Sequence, residues 1–325
     1  MEQYLCYNAR HTMAAFSNHL TWSFSRMRMF HSCRRRYYYH HYLKWGGWSY
    51  GAPPERSQAY RLSKMKSMPS YAGELVHQGI ADALRRFRRH RIVMTPEESI
   101  ATAHMRWMAA LAQSESGRWQ RDPKGCICLL EDYYNHLDRE DKAVVMWERI
   151  AVCLTNFHAS RTWRDLQRSR PKHWLAMDGD AFQTVPIDDI AVHGRPDLGY
   201  GVRQAGEAQG QCYVFDWKTG SMRDSDMVQL RYYALYAESA WGYAPDTVKA
   251  RLIYLYPDLC EETVEITTDA LDNARRTLAE SYAEMHAVLA DSEKNLPLDI
   301  SFFPITERPS LCRHCSFQEL CPPPE

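Results

Sequence analysis

Apolar residues recur at three-to-four spacing up to about residue 172, and from Trp174 onward they alternate with period two. The chain therefore reads as a helical first half followed by a half that carries strands. Thr21 to Leu43 predicts a helix in which Phe24, Met27 and Phe30 or His31 share a face. Gly73 to Phe87 predicts an amphipathic helix with Val76, Ile80, Ala83, Leu84 and Phe87 as its apolar stripe. Between them, Trp45 to Pro69 contains Gly46-Gly47, Gly51 and Pro53-Pro54 and reads as a loop or crossing segment. Thr95-Pro96-Glu97-Glu98 places a cap, a first-position proline and a glutamate at the third position, opening a helical block that runs to about Leu166. Within that block Asp141 to Phe157 carries Val144, Val145, Ile150, Leu154 and Phe157 and is expected to be core scaffold.

Strands are predicted at Phe182 to Ile190, Val192 to Tyr200, Gln211 to Asp216, Ala250 to Tyr256 and Thr263 to Thr267. A helix from Asp226 to Tyr236 separates the third strand from the fourth, and Leu271 to Leu289 forms a closing helix. The stretch Cys212-Tyr-Val-Phe-Asp-Trp-Lys-Thr-Gly220 is the most informative. In a strand, side chains alternate faces, so Asp216 and Lys218 point the same way with Val214, while Phe215 and Trp217 take the other side. An acid and a base thus meet at a strand end. A second carboxylate, Asp197, follows Pro196 in His193-Gly-Arg-Pro-Asp197. By itself an Asp-x-Lys is more often a solvated ion pair than a site.

Composition describes an ordinary globular protein, with 25% charged and 45% hydrophobic residues and no apolar run long enough to span a membrane. The N-terminal residues lack the basic-then-apolar order of a secretory signal, so a cytoplasmic protein is expected. Its net charge of zero hides an asymmetry. Residues 1 to 91 hold 16 Lys and Arg against Glu2, Glu55, Glu74 and Asp82, leaving this part at +12 and the remainder at −12. That division suits an anionic polymer partner. Arg34, Arg35, Arg36 and Tyr37, basic and aromatic in one run, suit phosphate contact and base stacking, with packing of the tyrosines as the alternative.

Ten cysteines in a chain expected to be cytoplasmic point to metal ligation before disulfides. Cys312, Cys315 and Cys321 cluster at the end of the chain and need one more ligand to complete four. Spacing does not separate a [4Fe–4S] cluster from zinc. Cys6, Cys126, Cys128, Cys153, Cys212 and Cys260 are read as small core hydrophobes.

Taken in order, the serine-led helix ending at Cys33, Gly73-x-x-x-His77, Pro196-Asp197, Asp216-Trp-Lys218, Gln229 with Tyr233, and the three final cysteines resemble the PD-(D/E)XK nucleases, in their RecB-type, CRISPR-associated-exonuclease-like branch. The resemblance implies an α/β fold with a restriction-endonuclease-like core, a mixed central sheet flanked by helices, with a helical N-terminal and insertion region and a C-terminal iron–sulfur segment. It divides the chain into residues 1–72, with the first cluster cysteine; 73–172, helical, with the histidine; 173–295, the nuclease core; and 296–325, the cluster segment. It implies that His77, Asp197 and Asp216 bind Mg²⁺ or Mn²⁺ with the Trp217 carbonyl as a further ligand, that Lys218 attends the attacking water, and that Gln229 and Tyr233 border the active site. Cys33, Cys312, Cys315 and Cys321 would hold a [4Fe–4S] cluster, with zinc as the lesser occupant. The expected activity is metal-dependent hydrolysis of DNA, on single strands or ends and by an exonuclease, in repair, recombination or mobile-element defence such as CRISPR adaptation, beside a helicase or defence-complex partner. The alternatives are a non-catalytic nucleic-acid-binding iron–sulfur subunit of such a complex and a small-molecule enzyme with a cysteine metal site. No motif carries over to residues 92 to 172.

Overall fold

In the computed structural model, which describes residues 18–178, 180, 183–194, 196–202 and 210–321, the two periodic halves of the sequence form interlocking parts of one fold. The first half begins with α1 (Phe24–Ser32) and α2 (Arg34–Tyr38), which continues into a π-helical turn over Tyr39–Leu43. The single helix expected from Thr21 to Leu43 is therefore broken, and the break is at Cys33. Cys33 adopts an extended backbone, φ −163° and ψ 108°, and its sulfur accepts a hydrogen bond from Arg36 N as the cap of α2. The expected loop from Trp45 to Pro69 contains a helix, α3 (Pro54–Leu62). Pro54 sits at its first position, where a missing N–H costs nothing, and Ala59 and Leu62 are buried, so the proline pair starts a helix rather than breaking one.

Helix α4 (Met68–His90) contains the predicted apolar stripe, and Val76, Ile80, Ala83, Leu84 and Phe87 are all buried. Each fully buried Leu or Phe contributes roughly 1.5–3 kcal/mol. Next come α5 (Pro96–Glu115), opened by the predicted Thr95/Glu98 capping box, the short α6 (Leu130–Tyr133), α7 (Arg139–Ala159) and α8 (Arg161–Arg168). In α7, Ile150, Leu154 and Phe157 are fully buried as expected, whereas Val144 and Val145 are 58% and 48% exposed. In the same turns Ala143 and Met146 are buried, so Val144 and Val145 lie on the outer face of α7.

The second half opens with β1 (Trp174–Met177), then β2 (Thr184–Ile187), β3 (Ile190–His193), β4 (Leu198–Val202) and β5 (Gln211–Lys218). After α9 (Asp224–Trp241) come β6 (Val248–Tyr254) and β7 (Cys260–Glu265), followed by α10 (Thr268–His286), the short pair β8 (Leu289–Asp291) and β9 (Leu296–Pro297), and α11 (Pro309–Cys312). β1-β4-β5-β6-β7 form one five-stranded mixed sheet, in which only β5 and β6 are parallel, joined through α9. The expected strand Val192 to Tyr200 is two strands in different sheets. β3 pairs with β2 in a hairpin turned by Asp188 and Asp189, both at positive φ, and β4 joins the main sheet. Phe182, the predicted start of the first strand, and Cys6 lie outside the described residues.

Helices cover both faces of the sheet. Cys212, Val214, Ala250 and Leu252 pack with α1, α9 and α10, while Phe215, Trp217 and Ile253 pack with α4, α7 and α8. This is the face assignment that alternation along Cys212–Gly220 predicts. It is the layered α/β arrangement of a restriction-endonuclease-like fold. A third cluster joins Tyr39, Leu62, Trp119, Leu130 and Phe317, bringing the N-terminal helices, the inserted block and the C-terminal segment together. Of the cysteines expected in the core, Cys128, Cys153 and Cys212 are buried, Cys126 is half-buried and Cys260 is exposed. Cys260 lies on the edge strand β7, with one face open to solvent.

Candidate active site

Strand register brings the two predicted carboxylates together. β4 and β5 are antiparallel with Leu198 opposite Phe215, so one further step sets Asp197 opposite Asp216. The contact is closed by the backbone: Asp197 N donates to Phe215 O at 3.1 Å, and Trp217 N donates to Asp197 Oδ2 at 2.8 Å. Helix α4 delivers the histidine. Gly73 and His77 are four apart and share a face, and a Cβ on Gly73 would lie 3.2 Å from Thr219 Oγ1, just past Lys218. The bare glycine lets α4 approach the end of β5 closely enough for His77 Nδ1 to reach Asp197 Oδ1 at 3.3 Å.

Lys218 anchors a closed ring of polar contacts. Its Nζ lies 2.6 Å from Asp216 Oδ2 as an ion pair and donates to Gln229 Oε1 at 2.8 Å. Gln229 Nε2 donates to the Tyr233 hydroxyl at 2.6 Å, and that hydroxyl donates to Asp216 Oδ1 at 3.3 Å. Gln229 and Tyr233, one turn apart on α9, thus fix both members of Asp-x-Lys. Asp216 Oδ2 has no aligned hydrogen-bond donor among the described residues, so the ion pair with Lys218 leaves that oxygen with unused acceptor capacity.

Electrostatics divide the two acids. Burial, then the Asp197 carboxylate, pushes the Asp216 carboxyl up to about 6 against the pull of Lys218. Burial alone would raise Asp197 too, but the His77 imidazolium and the Trp217 amide overcome it and hold Asp197 below the usual carboxylate range. For His77, burial favours the neutral ring, yet Asp197, with Asp216 and Asp178 behind it, holds the imidazolium to about pH 9.

Two acids missed by sequence reasoning belong to this site. Nδ1 or Nε2 of His77 and one oxygen each of Asp178 and Asp197 lie within 4.8 Å of one another, a grouping able to hold a metal ion. Asp216 stands outside that trio, engaged by Lys218 and Tyr233, and Asp178 is the trio's second carboxylate. It follows β1 and is drawn in by its backbone, Asp178 N donating to Asp197 O at 2.8 Å. No sequence spacing links position 178 to the motif. Asp226 does carry a signal, being three and seven residues before Gln229 and Tyr233 on one helix face. Its Oδ1 lies 3.8 Å from Lys218 Nζ, and its other oxygen accepts from the Tyr254 hydroxyl at 3.3 Å. The Trp217 ring is buried against Phe157 and Phe215, away from Asp216.

The four cysteines singled out by the sequence line one cavity of about 240 Å³, with Arg35, Arg36 and Tyr39 on its wall. The C-terminal segment is seated there by Tyr39 OH to Leu320 O at 2.8 Å, Tyr134 OH to Ser316 O at 3.0 Å and Arg35 Nε to Phe303 O at 2.7 Å. Burial pushes the Cys315 and Cys321 thiols up, outweighing Arg35 and Arg36.

The expected nucleic-acid strip is mostly occupied by the protein itself. Arg34 is 40% exposed, stacked on Phe30 and paired with Glu284, and Arg35 and Arg36 are half-buried. Tyr37 is fully buried, edge-on to Phe30 and Tyr42, and its hydroxyl accepts from Arg26 Nε at 3.0 Å. A base cannot stack on a ring with no free face, so position 37 belongs to the core.

No described helix is long and apolar enough to cross a membrane. Among curated proteins no significant match is found. The family model described as "PD-(D/E)XK nuclease superfamily" matches residues 21–322, nearly the whole chain and every site residue named above. With its two carboxylates, lysine and histidine at the end of a mixed sheet, the chain belongs to the PD-(D/E)XK nuclease superfamily, whose members use divalent metals.

Proposed function

We propose that the protein is a Mg²⁺- or Mn²⁺-dependent deoxyribonuclease acting on single strands or strand ends, and an exonuclease rather than an endonuclease. The observation that carries the reading is the convergence of His77, Asp197, Asp216 and Lys218 at the meeting of β4, β5 and α4. The donor set suits a divalent ion: one imidazole and two carboxylates grouped within 4.8 Å, and a spare acceptor on Asp216. His77, Asp178 and Asp197 would hold the ion, with Asp216 and the Trp217 carbonyl beside them. When bound it supplies Lewis-acid polarisation of the phosphate and a lower pKa for an attacking water. Lys218 orients that water and offsets charge growing on the phosphate oxygens. Gln229 holds the ammonium in place, and Tyr233 holds Asp216.

Cys33, Cys312, Cys315 and Cys321 are assigned to a [4Fe–4S] cluster. All four sulfurs line one cavity of about 240 Å³, and the order of the motifs along the chain, rather than the cysteine spacing, favours iron–sulfur over zinc. The cluster would tie together segments 279 positions apart in sequence and make their separation cost folding energy. The setting is cytoplasmic DNA repair, recombination or mobile-element defence, beside a helicase or defence-complex protein.

The test is cleavage of end-labelled linear and circular DNA, single- and double-stranded, with Mg²⁺ or Mn²⁺. Degradation of linear single strands by the intact chain, sparing of circles and loss of both in Asp216→Asn is the expected result. Equal activity in the intact chain and Asp216→Asn refutes the assignment, and metal-independent binding without cleavage by either leaves the non-catalytic subunit in its place.

A further inference from the structure

Arg26 is a buried cation with no carboxylate paired to it among the described residues. The residue is 8% exposed, its Nε donates to the Tyr37 hydroxyl at 3.0 Å and its Nη1 to Thr21 Oγ1 at 3.3 Å. Both partners are neutral, and Nη2 is buried with no hydrogen-bond partner among the described residues. An unpaired buried charge is costly and is ordinarily matched by an acid or a bound anion. Arg26 lines a pocket of about 510 Å³ whose described lining includes His40, His41, Thr184 and His193 and no carboxylate. His41 Nε2 is likewise buried and unpartnered. Lys44 approaches His40 at 3.5 Å, adding a second cation. Burial, then the positive charges of Lys44, Arg36, Arg26 and Lys64, drives the His40 imidazole down to about 3.

The position relates the pocket to the active site. Ser23, Ser25 and His193 are shared between it and a second cavity of about 550 Å³, whose wall includes Phe24, Tyr232 and Tyr236 and then Gln229 and Tyr233 of the catalytic ring. A polymer leaving the Lys218 centre past Gln229 would cross an aromatic cavity and reach the pocket lined by Arg26, whose buried Nη2 has no hydrogen-bond partner among the described residues. Guanidinium matches phosphate in charge and fork geometry.

We propose that the Arg26 pocket is a phosphate-binding site, and that the phosphate is one carried by the substrate strand at a fixed distance from the scissile bond. The strand assignment rests on the nuclease reading; the anion site does not. Binding is measured in full-length Asp216→Asn protein by anisotropy of labelled single-stranded oligonucleotides, each with one neutral methylphosphonate at a successive position. One non-scissile position should weaken binding about tenfold with Arg26 present and no more than about twofold with Arg26→Gln. Should Arg26→Gln fail to fold, Arg26→Lys, which keeps the charge and loses the fork, should leave roughly threefold. A flat scan together with stabilisation against heat by millimolar inorganic phosphate that disappears in the Arg26 variant supports the phosphate site and names free phosphate as its source. A flat scan without that stabilisation, or a sensitive position that the Arg26 variants leave unchanged, overturns the proposal. Binding rather than cleavage is read, so failure of the nuclease reading would show separately, as equal cleavage in the intact chain and Asp216→Asn.

Discussion

The carboxylate–lysine centre and the four-cysteine cavity lie at the two ends of the same chemical problem, how to keep reactive groups together inside a protein. At the first, the groups hold one another. Asp216, Lys218, Gln229 and Tyr233 close a ring, and Asp197 is pinned between His77 and a backbone amide. Every positive charge there has a negative partner, so the geometry is preorganised by internal contacts. At the second, the sulfurs are positioned by what surrounds them: a broken helix at Cys33, and hydrogen bonds from Tyr39, Tyr134 and Arg35 to the backbone of the last segments. If the thiols hold the proposed cluster, that region depends on what they ligate, and one region acts where the other fastens.

Exchanging one group in each region should separate these roles. The largest expected effect is on turnover: Asp216→Asn should lower metal-dependent cleavage at least roughly a thousandfold, as loss of a preorganised electrostatic group does, while its thermal midpoint stays level or rises. A large fall in that midpoint would mean the ring is structural first. Cys321→Ser should do the reverse. Iron content falls, unfolding free energy drops by roughly a few kcal/mol, and trypsin gains access near both Cys33 and Cys312. A variant with full iron and unchanged protease resistance would contradict the fastening role.

Acidity gives a third handle. The folded pKa of His77, about 9, exceeds its ordinary value of 6.5, so its contribution to stability is fully present below pH 6.5 and is lost as pH rises through 9. The same proton competes with a metal ion for the ring. Apparent Mn²⁺ affinity should therefore rise by about tenfold per pH unit from 7 to 9 and then level, a slope that His77→Ala abolishes in a titration. A flat profile in the intact protein would remove His77 from the ligand set. The smallest effect serves as a control outside both regions: Thr95→Ala removes the α5 cap and should cost about 1 kcal/mol in chemical denaturation with cleavage and iron unchanged.

Legibility followed the range of the interaction concerned. Alternation along Cys212–Gly220 placed Asp216 and Lys218 on one face because strand geometry repeats every two residues, whatever lies beyond. The stripe of α4 and the cap of α5 were readable for the same reason. Errors arose where a local signal had two meanings. Pro53-Pro54 looks like a breaker and is a helix start, because Ala59 and Leu62 find a core to enter. Tyr37 looks like a stacking residue and is a core ring, since only packing decides which face of a short basic helix turns inward.

Taken alone, the sequence determined the change from helices to strands near Trp174, the acid–base pair, the Gln229–Tyr233 face and the set of four cysteines, all of which depend on short-range periodicity and residue chemistry. Tertiary structure decided that Asp178 groups with His77 and Asp197, that Asp226 stands beside Lys218, and that Arg26 is buried with no carboxylate paired to it among the described residues. Those outcomes depend on strand register and helix docking. The widest of these contacts, His77 with Asp197, joins residues 120 positions apart, a distance over which no local propensity carries information.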